Sequence, residues 1–496
     1  MKKINSALIS VFSKEGIDEL CKELYRNKIE IISTGGTQKH IENLNIPVTS
    51  VESLTDYPSI LGGRVKTLHP KVFGSILSRS NNKSDLVDEK KHDLSKIDLV
   101  IVDLYPFQQT VELTDNESEI IEKIDIGGVS LIRAAAKNFS DVSIISSQNQ
   151  YKDCLDYFIK NKFETDLNFR KRLAFEAFSN ISEYDIHIEE FFGESTGVYK
   201  KLRYGENPHQ SAVFNGDIGD IFEKLNGKEL SYNNLLDVDA SIRLISEFTH
   251  TTFAILKHNN ACGISSTSSV ITSYLNAFEA DPLSAFGGIL ITNKKVDSNA
   301  ANEMNSLFFE IIIAPDYTDK ALSILKSKKN RIILLHKKQV QKKFTVRSIL
   351  NGSLKQESDN IKNLSNKWKL VTKVKCKKNQ LIDLEFANKI VKHSKSNAIV
   401  LVKDQQMLSS GVGQTSRVDA LKFAIDKAKT FKFDLAGSVM ASDAFFPFPD
   451  CIEIASEAGI SAVVQPGGSI KDQLSIDACN ERGVAMYLTG IRHFYH

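Results

Sequence analysis

The chain opens with short apolar runs separated by amphipathic stretches, and this alternation restricts the fold more than any other feature. Ala7–Val11 reads as a strand and Lys14–Arg26 as a helix with Ile17, Leu20 and Leu24 on one face. Ile29–Ile32 reads as a second strand and Asp98–Asp103 as another. Strand, helix, strand in this order is the βαβ rhythm of a parallel sheet. Ligand sites of such sheets lie beyond the carboxyl ends of the strands, so chemistry is expected in the residues that follow each apolar run.

Those residues are polar, small and basic. The second strand runs into Ser33-Thr34-Gly35-Gly36-Thr37 before a helical segment. Glycines let backbone N–H groups approach a phosphate, and a helix N-terminus adds partial positive charge. The alternative is a tight turn with Thr37 as N-cap. In Leu61-Gly62-Gly63-Arg64-Val65-Lys66-Thr67-Leu68-His69-Pro70, Arg64 and Lys66 alternate, so an extended backbone puts both cations on one side. Leu104-Tyr105-Pro106-Phe107 follows the strand at 98–103. Asp125-Ile126-Gly127-Gly128-Val129-Ser130 precedes a helix over 131–137, on which Arg133 and Lys137 share a face. A helical stripe through Leu173, Ala177, Phe178, Ile181 and Ile188 closes the region, and Gly193–Gly197 reads as a linker.

Phe253-Ala254-Ile255-Leu256 is strand-like and stops in Lys257-His258-Asn259-Asn260. A cation, an imidazole and two amides at a strand end suit catalysis; the alternative is a polar turn with a surface Lys and a half-buried His. Composition sets the outer limits. The chain has 496 residues, room for two to four domains, and 63 basic against 61 acidic residues. That balance argues against a general nucleic-acid or membrane binder. No apolar run reaches signal-peptide or membrane-span length. Six cysteines without a CxxC pair read as reduced, mostly buried thiols of a cytoplasmic protein.

STGGT, GGRVKTLHP, LYPF and IDIGGVSLIRAAAKN, in this order and spacing, resemble a known family. It is the bifunctional purine biosynthesis enzymes that join 5-aminoimidazole-4-carboxamide ribonucleotide (AICAR) transformylase to IMP cyclohydrolase. RYGENPHQ, LSYNNLLD, LKHNN, SAFG, IIAP, KSNAI, GQTSRV, SDAFFPF and the C-terminal Arg492-His493-Phe494 extend the resemblance over nearly the whole chain. It implies an α/β fold. A methylglyoxal-synthase-like parallel-sheet domain at 1–195 would be the cyclohydrolase. A transformylase region at 198–496 would have cytidine-deaminase-like α/β subdomains.

The resemblance also implies roles. Ser10, Lys14, Ser33, Thr34, Gly35, Gly36, Thr37, Arg64, Thr67, Ile126 and Gly127 would hold the cyclohydrolase nucleotide, and Lys66, Tyr105, Asp125 and Lys137 would serve ring closure. In the transformylase His258 would be the general base, with Lys257 and Asn397 beside it. Arg203, Tyr204, Phe286, Gly287, Glu310 and Arg417 would hold AICAR, and Val418, Phe445, Asp450, Ser469, Ile470 and Arg492 the folate. The co-substrate implied is 10-formyltetrahydrofolate, with no metal, and the small-molecule partners are AICAR, formyl-AICAR, IMP and folate. A homodimer is implied, with no nucleic acid or membrane partner.

Departures from the family pattern are Asp103 where Asn is common, Phe12 in the first loop, Ala261 after Asn-Asn, and Asn351-Gly352-Ser353-Leu354. The Lys- and Asn-rich stretch from Lys326 to Lys378 reads as a solvated surface face. Asp443–Asp450 is too apolar for an exposed loop and points to a pocket or interface. A zinc deaminase is the nearest catalytic rival, opposed by the missing H-x-E and P-C-x-x-C signatures. A nucleotide-binding regulatory module is the non-catalytic one, disfavoured by the joint presence of Lys66, Tyr105, Asp125 and Lys137.

Overall fold

The computed structural model describes residues 1–338, 342–362 and 365–496. They fall into two compact units, Met1–Tyr199 and Lys200–His496. The first is built on a five-stranded parallel sheet. Its spatial order is Thr49–Ser50, Glu30–Ser33, Ser6–Ser10, Leu99–Val102, Ser143–Ile145. Leu99, Val100, Ile101 and Val102 are all buried, as a strand covered on both faces requires. Chain order reverses at Ser6–Ser10, so the crevice between its end and that of Leu99–Val102 is a topological switch point, where open α/β sheets bind ligands.

Helix Leu167–Thr196 packs on this sheet, with the Asp166 carboxylate accepting the Phe169 N–H at 2.8 Å as N-cap. It runs through most of the segment expected to be a linker. Gly193 lies inside the helix, and a Cβ there would sit 2.8 Å from the Tyr199 ring. The glycine serves close packing, and the stop comes at Gly197, with φ 74°.

The second unit contains a repeat that reading the sequence did not detect. Helix Tyr232–Ile245 leads into the hairpin Thr252–Lys257/Asn260–Ser266 and helix Val270–Ala280. Strands Ile289–Thr292, Ile311–Ala314 and Ile332–His336 follow, separated by helices Ser298–Asn305 and Asp319–Leu325. The order then recurs from helix Lys378–Lys392. Hairpin Ile399–Lys403/Gln406–Gly411 and helix Arg417–Thr430 precede strands Val439–Ser442, Ala462–Gln465 and Ala485–Leu488. Each half adds an antiparallel edge strand, Phe222–Asn226 or Lys369–Leu370. The halves join where Asn260–Ser266 pairs antiparallel with Gln406–Gly411, giving one twelve-stranded sheet.

Both hairpins turn on two residues of positive φ, His258 (51°) and Asn259 (65°) in the first and Asp404 (51°) and Gln405 (54°) in the second. Such two-residue turns match the right-handed twist of their strands. A helix crosses each hairpin so closely that a Cβ on Gly263 would lie 1.8 Å from the Ala277 carbonyl oxygen, and one on Gly411 1.9 Å from that of Ala420.

The stretch from Lys326 to Lys378 is not uniformly a surface face. Ile332, Ile333 and Leu334 are buried in the sheet, while hairpin Phe344–Ile349/Gly352–Glu357 is exposed throughout. Gln339–Gln341 and Asn363–Leu364 in this stretch lie outside the described residues. Among the described residues no helix is long and apolar enough to cross a membrane, and no three metal-ligating side chains cluster. The six cysteines are unpaired, and burial pushes the thiols of Cys21, Cys154, Cys262, Cys451 and Cys479 up to about 12.

Gly263→Ala and Gly411→Ala should each destabilise the protein by about 1–3 kcal/mol, since backbone carbonyls cannot retreat as side chains do. Gly352→Ala, whose added methyl meets nothing within 4 Å, should stay within about 0.5 kcal/mol. Urea-denaturation midpoints of the three variants check this.

Candidate active sites

A cavity of about 580 Å³ opens at the switch point of the first unit. Ser10 ends strand Ser6–Ser10 and Lys14 lies in the turn after it, while Thr34, Gly36 and Thr37 come from the N-cap and start of helix Gly35–Asn43. Arg64, Lys66 and Thr67 come from a bent segment after the 3-10 turn Leu61–Gly63. Asp103 and Tyr105 follow strand Leu99–Val102, and Asp125, Ile126 and Gly127 lead into helix Gly127–Lys137. The segments expected to hold a nucleotide and those expected to carry acid/base chemistry therefore share one crevice.

Gly128 makes that closeness possible, and Gly35 lies in ordinary contact distance of Lys66. A Cβ on Gly128 would lie 2.5 Å from Asp125 Oδ2, and one on Gly35 3.6 Å from Lys66 Nζ. The Gly128 N–H donates to Asp125 Oδ1 at 2.6 Å, while the Asp125 N–H donates to the Tyr184 hydroxyl at 2.8 Å. That hydroxyl donates to the Lys123 carbonyl at 2.6 Å, so helix Leu167–Thr196 pins the Asp125 loop. Tyr105 lies edge-on to Phe12, ring centroids 5.4 Å apart, with Lys123 Nζ 5.3 Å from the Phe12 centroid.

Burial raises the Asp125 carboxyl above the ordinary carboxylate range. The Gly128 and Tyr105 N–H groups and the Lys66 ammonium oppose that rise, and Asp103 adds to it. Burial also raises Tyr105, with Asp125 reinforcing the effect, and lowers Lys14 against the pull of Asp103. A desolvated carboxyl with raised proton affinity beside a cation and a phenol can move protons near a bound ring.

Several expected residues are placed otherwise. Ser33 is buried and donates its hydroxyl to the Ile9 carbonyl at 2.7 Å, so it braces the sheet. Thr37 does not cap the helix, whose N-cap is Thr34. Its hydroxyl donates to the Val11 carbonyl at 2.9 Å and accepts the Val11 N–H at 3.1 Å. Gly35 backs onto Lys66 and does not line the cavity. Arg64 is ion-paired with Glu122 at the cavity wall, so an anion must compete for it.

Lys137 is not brought to this cavity. Helix Gly127–Lys137 rises about 15 Å over its length, carrying Lys137 to the opposite end from Gly127. There it lines a second cavity of about 600 Å³ with Arg133, Lys171, Phe175 and Phe178. Sequence reading did not assign Glu122, Lys123, Gln148 or Tyr184. Their partners lie tens of residues away in the chain, and no local pattern marks them.

In the second unit, the Lys257–Asn260 turn was expected beyond the carboxyl end of a parallel strand. Its strand is instead antiparallel to both neighbours. Counting alternations across the seam gives it the same direction as Val439–Ser442, Ala462–Gln465 and Ala485–Leu488. The turn therefore shares an edge of the sheet with the carboxyl ends of the second half's parallel strands. Arg417, Val418, Phe445, Asp450, Ser469, Ile470 and Arg492 lie along that edge, on segments that follow strands of the second half. Phe286, Gly287 and Glu310 meet it from the strand starts of the first half.

Lys257 Nζ donates to the Phe286 carbonyl at 2.8 Å. His258 is exposed at the tip, and the turn beside it is held by the Asn259 N–H donating to Asp237 Oδ1 at 2.6 Å. Asn260 Oδ1 accepts the Lys395 N–H at 3.1 Å, and Asn397 Nδ2 donates to the Gln414 carbonyl at 3.0 Å. The Asn260–Lys395 contact ties the two halves together beside the imidazole. Burial raises the Asp237 carboxyl, against the opposing influence of the Asn259 N–H and His258. Asp237 lies in LSYNNLLD, yet its role was not read from sequence.

Arg417 donates to Ser442 Oγ at 3.1 Å and to the buried Asp443 at 3.1 Å. Asp443, Ala444 and Phe446 are buried, which explains the apolar character of that loop, while Phe448 is exposed. Glu310 accepts from Asn234 at 3.1 Å and pairs with Lys228 at 3.2 Å. Arg203 and Tyr204 lie on the loop whose Glu206 carbonyl accepts from Asn233 at 3.2 Å. Ile470 is fully exposed and Phe286 is 58% exposed, so this edge is an open surface.

Two family models match the chain. An MGS-like domain covers residues 16–130, and the AICARFT/IMPCHase bienzyme model covers 135–427. The chain is 55% identical over its full length to the bifunctional purine biosynthesis protein PurH of Bacteroides thetaiotaomicron, covering 99% of that protein. It is 46% identical to the protein of the same name from Aquifex aeolicus, over 99% of this chain and 100% of the relative. With that of Clostridium acetobutylicum the identity is 45%, over 99% and 100%.

Because Glu122 competes for Arg64, Glu122→Gln should tighten binding of a nucleoside monophosphate about two- to tenfold. Calorimetric titration with IMP and with its dephosphorylated nucleoside checks this, since the gain should vanish without the phosphate.

Proposed function

The chain belongs to the AICARFT/IMPCHase bienzyme family, and from that membership we propose how its residues divide two consecutive reactions. It is a bifunctional enzyme of purine biosynthesis, with AICAR formyltransferase and IMP cyclohydrolase activities. A folate supplies the formyl group. We assign 10-formyltetrahydrofolate as the donor, residues 198–496 to the transfer and residues 1–195 to ring closure. The working form is a cytoplasmic homodimer with no nucleic-acid or membrane partner, and neither step needs a metal.

In the transfer, the AICAR amine attacks the formyl carbon. A new C–N bond forms, the carbonyl becomes an oxyanion, and the amine loses its proton to His258. Collapse of the oxyanion breaks the bond to the folate nitrogen, which takes up a proton. An aromatic amine is a poor nucleophile, so removing its proton during attack speeds the step. The Lys257 ammonium is one residue away and suits the oxyanion. Asn397 positions the reacting groups. Arg203, Tyr204, Phe286, Gly287, Glu310 and Arg417 are assigned to AICAR, and Val418, Phe445, Asp450, Ser469, Ile470 and Arg492 to the folate. The placement of the Lys257-His258 turn on one edge with these segments supports this reading.

In ring closure, the carboxamide nitrogen adds to the formyl carbon, its proton passes to Asp125, and the carbonyl oxygen becomes a hydroxyl. The C–O bond then breaks as the former formamide nitrogen gives up its proton and forms the ring C=N bond, and the hydroxyl takes a proton and leaves as water. Lys66 and Tyr105 stabilise the oxyanion and protonate the departing oxygen. Ser10, Lys14, Thr34, Gly36, Thr37, Arg64, Thr67, Ile126 and Gly127 are assigned to the nucleotide. The observation that carries this assignment is the meeting of Lys66, Tyr105 and Asp125 in one cavity at the switch point. Lys137 lies outside that cavity, so its part in closure does not run through contact with this chain's own cavity.

His258→Ala should abolish formyl transfer and leave cyclisation of supplied formyl-AICAR intact. Asp125→Asn should do the reverse, slowing cyclisation about 10²–10⁴-fold. Loss of both activities in either folded variant would refute the two-site division. A base works deprotonated, so cyclisation should fall as pH drops through the raised Asp125 pKa. The acid limb of kcat/KM should therefore lie above the ordinary Asp value of about 3.9.

A further inference from the structure

Asp103 is a carboxylate in the closure cavity to which the reaction as described gives no task. It accepts the Phe12 N–H at one oxygen and, at the other, the Ser13 N–H at 3.0 Å and Gln148 Nε2 at 3.3 Å. Phe12 and Ser13 belong to the turn between strand Ser6–Ser10 and helix Ile17–Arg26. That turn folds the Lys14 ammonium back onto the Val11 and Phe12 carbonyls and sets Phe12 against Tyr105. An Asn at 103 would offer one acceptor oxygen and one donor nitrogen, so it could not receive both backbone N–H groups on separate oxygens.

The same carboxylate is a second negative charge near Asp125. Around Asp103 stand Lys14 from the turn, Tyr151 from helix Tyr151–Lys160 and Asp125. Around Asp125 stand Lys66, Tyr105, Tyr184 and Asp103. Like charges favour the protonated form of their neighbour.

We propose that Asp103 is a positioning residue for ring closure, one that holds the Val11–Lys14 turn as a wall of the cavity and sets a second carboxylate into the cavity that Asp125 lines. This rests on the reading of Asp125 as base.

The test uses the full chain with supplied formyl-AICAR, following IMP across pH for the parent, Asp103→Asn and Asp103→Glu, with formyl transfer as the measure of folding. Asp103→Asn removes the charge, so the acid limb of kcat/KM should move down by roughly half a pH unit. Its KM should rise about two- to tenfold as the turn loosens. Asp103→Glu keeps the charge, so its KM should rise while its acid limb stays in place. An acid limb for Asp103→Asn that superimposes on the parent would overturn the proposal. So would equal movement of the acid limb in both variants, because only Asn removes the charge. Retained cyclisation in Asp125→Asn would instead overturn the base assignment, which separates the two failures.

Discussion

The antiparallel seam between Asn260–Ser266 and Gln406–Gly411 is the joint on which the larger unit depends. It fuses two similar halves into one sheet and sets their relative direction. Because each hairpin reverses the chain before the seam, strand Thr252–Lys257 runs the same way as the second half's parallel strands, while the first half's own parallel strands run the opposite way. The Lys257-His258 turn thus shares an edge with the carboxyl ends of parallel strands that its own half does not place there. Gly263 and Gly411 let a helix lie against each hairpin within bond-like distance of a would-be Cβ, so the joint tolerates no side chain at either position.

In the first unit the governing constraint is electrostatic. The cavity holds Lys14, Lys66 and Arg64 together with Asp103, Asp125 and Glu122. A purely cationic pocket would bind a phosphate more tightly, but closure also needs a group that accepts a proton. Under the proposed assignment of ring closure to this cavity, the site meets both needs by separating them. Arg64 is tempered by Glu122 at the wall, while Asp125 sits desolvated beyond Gly128 and is held by Tyr184. Each hydrogen bond around Asp125 adds only about 0.5–1.5 kcal/mol, so its burial, not any one contact, dominates its proton affinity.

Glycine has three different uses here. At Gly128 it admits a carboxylate, at Gly193 an aromatic ring, and at Gly263 a carbonyl. Only the first belongs to a motif that announces chemistry. The second lies in a segment whose composition reads as a linker and whose conformation is helical. Composition records what a residue permits, and packing decides which permission is used.

Much of this protein was determined by local patterns. Strand and helix alternation set the parallel sheet of the first unit, because apolar periodicity is a property of neighbours in the chain. Motif order identified the family and nearly all segments that line the cavity. Tertiary structure decided the rest. It placed Lys137 at the far end of its helix, enclosed the Ser33 hydroxyl in the sheet, and recruited Tyr184, Glu122 and Asp237 from distant segments. It also revealed the repeat, whose two halves share strand order and turn geometry, features that no local pattern records. Local sequence can specify which residues are able to do chemistry; which of them meet depends on how far the chain between them travels and what it packs against.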